Sequence, residues 1–170
     1  ARLEAARSRE ITARQEIEAV ARANFAAQAQ THAMAVDLLE ARNNADLARR
    51  VAAVARFRFG VAAGSICVEG PGPAPLGWRA LPSGLLDLLI GPDAVARMGP
   101  CGGAAELFGE AAETVRSAAL VRMAIWTPVR TAVLAFGSPD PEGFSPEMGA
   151  ELVAFLARVV ERTAERWPAI

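Results

Sequence analysis

Imidazoles and thiols are the side chains best suited to nucleophilic, general-base or soft metal-ligand chemistry near neutral pH, and this sequence has three: His32, Cys67 and Cys101. A Cys–His pair could attack a carbonyl or a disulfide, but it needs the two groups in contact. His32 is the single histidine and lies in a helix-forming stretch remote in sequence from both thiols, so its expected role is on a surface or in helix packing. One histidine and two cysteines also fall short of the usual metal-ligand set, and no Asp or Glu cluster accompanies them. Cys67 stands in an apolar run and reads as a small buried hydrophobe. Cys101, in Gly-Pro-Cys-Gly-Gly, is the more accessible thiol. That glycine-rich segment lacks the Walker lysine and the spacing of either phosphate-binding fingerprint. Trp78, Trp126 and Trp167 have no basic and aromatic interleaving of the kind that stacks nucleic-acid bases, and they read as packing residues.

Composition narrows the class further. A chain of 170 residues accommodates one domain with an appendage. Its 18 basic and 19 acidic residues leave a formal charge of −1, so no global field would draw it to nucleic acid or to an anionic membrane. Every basic residue is Arg and there is no Tyr, a bias that fits GC-rich coding better than selection for guanidinium chemistry. Two cysteines are too few to staple a secreted mini-fold, which points to reduced thiols in a cytosol. No apolar run approaches the roughly 18 to 20 residues of a membrane span, and no signal-peptide pattern is present. A cytoplasmic location is the expectation.

The elements that must position these residues follow from periodicity. Residues 1–41 contain neither Gly nor Pro and are dense in Ala, Glu, Arg and Gln, so they are expected to form one long helix or two in series. Leu3, Ala6, Glu10, Ala13, Ile17, Val20, Asn24, Ala27, Thr31, Met34 and Leu38 keep alternating three-four spacing, the seam of a coiled coil. Polar members and alanines make the seam weak. It leaves open self-association through this helix and its folding back onto the same chain. Asn43 and Asn44 mark a break and cap, and Leu47, Val51, Val54 and Phe57 repeat at helical spacing up to Gly60.

Residues 42–170 then read as the main domain. A strand is expected around residues 64–68 and a loop over the Pro- and Gly-rich residues 70–77. A short strand is expected near Trp78 to Leu81, then a small helix capped by Ser83 and running through Leu85 to Leu89. A second loop is expected around Gly99, Pro100, Gly102 and Gly103, and paired strands at 115–126 and 131–136 follow it. Ser145, Pro146 and Glu147 supply a helix N-cap, a first-turn proline and an acid at the positive end. The helix they predict would bury Met148, Leu152, Phe155, Leu156, Val159 and Val160, with Phe144 as a staple and Glu161 largely off that face. Helix first, antiparallel sheet, helix last is an α+β pattern.

The stretch AVLAFGSPDPEGFSPEMGAELVAFL, Ala132 to Leu156, resembles the C-terminal signature of the bacterial domain-of-unknown-function family 484, a GAF-like family. The positions carrying the likeness are Gly137, Ser138, Asp140, Pro141, Phe144, Pro146, Met148 and Gly149, and they read as a strand-to-helix junction. The segment from Cys101 to Met123 is similar to the family's middle block. Ala150, Pro139 and Arg122 depart from the usual Thr, basic residue and Pro. The resemblance implies a GAF-like fold, a mostly antiparallel sheet flanked by helices, with a small-molecule pocket on one face. Related GAF domains bind small effectors and many dimerise through helices; no cofactor or ligand carries over.

Three readings result. The first is a non-enzymatic, cytoplasmic, homodimeric sensory module that binds a small molecule, with Trp78, Cys101, Phe108, Arg116 and Ser117 as candidate ligand-binding residues. The second is a protein-protein interaction scaffold whose pocket is filled by its own core. The third, suggested by GAF-related enzymes that reduce free methionine sulfoxide, is a thiol reductase centred on Cys101.

Overall fold

The computed structural model describes residues 1–101 and 104–169. Within them the chain forms two compact units, Ala1–Ala33 and Met34–Ile170. The first is helical throughout, part of a helix α1 that runs Arg2–Leu39. Every residue from Ala1 to Gln30 is exposed. The unit boundary falls inside α1, several residues before the break in the sequence pattern, because Met34, Ala35 and Leu38 are already core residues of the second unit.

The second unit is an α+β fold built on a five-stranded sheet. Its strands are β1 (Ala63–Glu69), β2 (Arg79–Leu81), β3 (Ala96–Pro100), β4 (Ser117–Ile125) and β5 (Arg130–Ser138). They lie in the order β2-β1-β5-β4-β3, antiparallel except where β2 runs parallel to β1. Strand β5 is buried over nearly its whole length, as a central strand covered on both faces must be. Its alternate side chains serve two cores. Ala132, Leu134 and Phe136 face one cluster and Val133 and Ala135 the other.

On the first face lie the end of α1, helix α2 (Asn44–Phe57) and helix α5 (Glu151–Ala164). The cap of α2 is as the sequence predicts: Asn43 accepts from the Asp46 amide at 2.8 Å, and Leu47, Val51 and Val54 are buried. Phe57 completes the periodicity but is exposed, being the last residue before the chain turns toward β1. Helix α2 lies close on β1 at Gly64, where a Cβ would stand 2.8 Å from that of Ala55 and 2.9 Å from the Val51 carbonyl. On the second face the cover is thinner. It consists of α3 (Leu85–Leu89), α4 (Ala105–Phe108), a 3-10 turn (Gly109–Glu113) and connecting loops.

Several local expectations need correction. Helix α5 begins at Glu151, not at Pro146; Ser145 to Ala150 form turns, and Met148 is exposed. Its buried stripe is Val153, Leu156, Ala157, Val160 and Ala164, so Phe155 is exposed and Phe144 is not a staple but a core side chain. Glu161 is buried as well. Its carboxylate accepts from the Ala124 amide at 2.8 Å and pairs with Arg158 at 2.8 Å. Strand β3 begins only opposite Val121, so the Ala124 N–H has no strand on the side away from β5, and burying an unpaired amide would cost about 1–3 kcal/mol. The loop expected at Gly99 and Pro100 is instead the end of β3, an edge position where the missing proline donor is tolerated. Gly102 and Gly103 lie outside the described residues. Finally, Ser83 does not cap α3; the Glu69 carboxylate accepts from the Leu86 amide at 2.6 Å instead.

Candidate functional site

The family-like signature builds a clamp between β4 and the chain leaving β5. Ser117, fully buried at the start of β4, donates its hydroxyl to the Asp140 carbonyl at 2.6 Å and accepts from the Phe144 amide at 3.0 Å. Ser138 Oγ accepts from the Asp140 amide, and the Asp140 carboxylate accepts from Glu142 at 2.9 Å, closing an Asx-type turn. Gly137 is required by space. A Cβ there would meet Val115 at 2.5 Å and the Phe108 ring at 3.1 Å. Pro146 packs over Gly99, so the signature also covers part of β3. These contacts give Gly137, Ser138, Asp140, Phe144 and Pro146 structural work.

The five residues proposed from sequence as ligand-binding do not form one constellation. Trp78 is buried on the helical face; its indole N–H donates to the Asn44 carbonyl at 2.9 Å and its ring lies 5.4 Å from that of Trp126. Ser117 is engaged in the clamp. Phe108 packs in the opposite cluster, against Gly137. Arg116 precedes β4 and donates to the Glu113 and Val115 carbonyls at 2.8 and 3.1 Å. Cys101 is half-buried, its amide bonded to the Arg116 carbonyl at 3.0 Å.

Of the five, Cys101 lines a cleft of about 200 Å³ on the thinly covered face, together with Leu89, Arg97, Gly99, Ala118 and Leu120. Its floor is the sheet, where Ala118 offers little bulk beside Leu120. One wall is the end of α3, held by Arg122. That guanidinium donates to the carbonyls of Gly91 at 2.7 Å, Ala94 at 3.3 Å and Leu86 at 3.4 Å, and pairs with Asp87 at 3.1 Å. Arg97 lines the same cleft and donates to the Leu89 carbonyl at 2.9 Å. Sequence reasoning missed Arg97 because β3 was hidden by its glycine and proline. Arg122 carried a signal, since it departs from the family's usual Pro, but only the fold shows what it ties together.

The thiols are not activated. Burial pushes Cys67 up to about 11, against small opposing effects of the Ser65 hydroxyl and Arg79. Burial also raises Cys101, with Arg97 opposing. Both are therefore thiols rather than thiolates at neutral pH, and the thiolate is the nucleophile. Cys67 is fully buried behind Ser65, whose hydroxyl donates to the Leu107 carbonyl at 2.7 Å. Among the described residues no three His, Cys, Asp or Glu side chains gather as a metal site, and no helix is long and apolar enough to cross a membrane.

Several arginines elsewhere on the second unit are spent on its own backbone. Arg79 donates to the Glu106 and Ala105 carbonyls, Arg130 to those of Pro73, Glu69 and Gly72, and Arg166 to those of Leu39 and Ala41. The planar guanidinium fork is suited to collecting several carbonyls at once.

No curated protein matches the chain. A family match, by contrast, covers residues 1–169, so helix α1 and the sheet unit both fall within it. The chain belongs to the family described as "Protein of unknown function, DUF484".

Proposed function

We propose that this protein is a non-enzymatic, cytoplasmic sensory module that dimerises through α1 and receives a small molecule in the cleft beside β3. The observation that carries the reading is the cleft itself: a concavity with an apolar floor, an arginine on one side and no acid-base pair or activated nucleophile within it. Such a lining suits recognition better than turnover. Arg97 directs the choice toward a compact, anionic molecule. At about 200 Å³ the space is below the roughly 300–1,000 Å³ of drug-sized sites, so the ligand is a small metabolite. The raised pKa of Cys101 counts against a thiol reductase centred there.

Native mass spectrometry of protein purified from its own host tests this directly. A discrete added mass, retained by the wild type and lost in Arg97→Ala, is the expected result. Equal retention by both would remove the cleft from the reading. The small volume also favours a second reading, a ligand-free interaction scaffold, and the absence of added mass together with no response of melting temperature to small anions would select it.

A further inference from the structure

The heptad seam of α1 has two fates. Its last members, Met34 and Leu38, are buried in the second unit, whereas Leu3, Ile17 and Val20 are 86%, 69% and 59% exposed. A surface helix with an exposed seam calls for a partner, because most helical stability in proteins comes from packing an apolar face. The charges beside the seam distinguish the two ways in which a second copy could fill it.

With Leu3 at position a, Arg2 and Arg9 occupy g positions and Arg7 and Arg14 occupy e positions. In a parallel pair each g residue faces the partner's e residue five places on. Arg2 would meet the partner's Arg7, Arg9 would meet the partner's Arg14, and symmetry doubles both repulsions. Glu10 would also face the partner's Glu10 within the seam. In an antiparallel pair g faces g and e faces e, which removes these clashes. Setting Ile17 against the partner's Val20 places the two largest central seam residues in adjacent layers. Arg9 then faces the partner's Gln30, Arg14 faces the partner's Ala21, and Glu10 faces the partner's Ala27. Sliding one heptad toward the N-terminus would oppose Arg14 to the partner's Arg14 and Glu16 to the partner's Glu16. Sliding the other way would set Ala6 and Glu10 against the partner's Leu38 and the partner's Met34, which are already buried in its second unit.

We infer that two copies of this chain pair residues 6–31 of α1 antiparallel, with Ile17 packed on the partner's Val20. The inference rests on the dimer reading above and adds its direction and register. The test uses the full chain with Cys101→Ser and one spin label, at Ser8→Cys or at Ala19→Cys, after light scattering has given the subunit number. In the antiparallel register Ala19 lies almost level with its copy, whereas the two Ser8 positions are about 30 Å apart along the axis, at about 1.5 Å per residue. The expected result is a dimer in which the Ser8 distance exceeds the Ala19 distance by roughly 15 Å. Equal short distances at both sites would overturn the orientation and leave the dimer reading standing. A monomer at all concentrations would overturn both. Arg14→Glu provides a second readout: dimer affinity is expected to stay within a few-fold, whereas a gain of tenfold or more would reveal the Arg9 to Arg14 contact of a parallel pair.

Discussion

Ile17 and Leu38 hold the same heptad position on one continuous helix, yet Ile17 is 69% exposed and Leu38 is 1% exposed. Around Leu38 the chain supplies its own partner, with Met34, Val51 and Leu47 in the same cluster. Around Ile17 every residue is exposed. The difference teaches that a seam states a need for apolar contact without stating who meets it. In the second unit packing is intramolecular and independent of concentration; in the first, on the proposed dimer, stabilisation would come from another molecule and follow mass action.

The sharpest way to break the comparison is truncation at the two equivalent positions. Leu38→Ala should destabilise the sheet unit by about 2–5 kcal/mol at any protein concentration, read by denaturant midpoint with the slope unchanged. A smaller intermediate effect is expected at the junction of α1 and α2. There Asp46 accepts from the Arg42 amide and from Arg50 and Arg49, each at 3.0 Å. The Arg42 backbone hydrogen bond, followed by the hydrogen bond from the Arg50 side chain, holds its carboxyl below the usual range. A carboxyl whose folded pKa is depressed stabilises in full above its unfolded value, about 4, and loses that contribution as pH falls through the lower folded value. Asp46→Asn should therefore cost stability at neutral pH, with the two unfolding curves converging as pH drops below about 4. A stability difference that persisted undiminished at pH 2 would show that the carboxylate charge is not what holds the junction. The smallest effect is expected for Ile17→Ala at low concentration, where unfolding of the sheet unit should move by no more than about 0.5 kcal/mol. Its consequence should surface only as weakened dimerisation, and a large shift in the monomer would show that the seam packs within one chain after all.

The sheet's two faces show where sequence reading succeeds and fails. Strands β1, β4 and β5 each hold a short apolar or β-branched run, and α2 advertises both its cap and its stripe, so these elements are legible from residue types alone. Strand β3 is not legible, because Gly99 and Pro100 look like a loop until β4 provides the partner that makes an edge strand of them. The start of α5 misleads for a related reason. Ser145-Pro146-Glu147 is a good local start signal, but the clamp from Ser117 to Asp140 and Phe144 holds that segment in turns until Glu151. Glu161 likewise reads as a solvent-facing acid and is buried because an amide of β4 lies within its reach.

By itself the sequence determined the α+β class, the long first helix with its weak seam, the strand-to-helix signature and the absence of a metal or phosphate motif. All of these follow from periodicity and residue type over short windows. Tertiary structure alone decided that Arg97 and Cys101 share a cleft, that Arg122 braces its wall, that burial keeps the thiols protonated, and that the seam is satisfied at one end and open at the other. Each of those depends on which distant segments meet, and pairing across a sheet brings together residues whose separation along the chain carries no local signal.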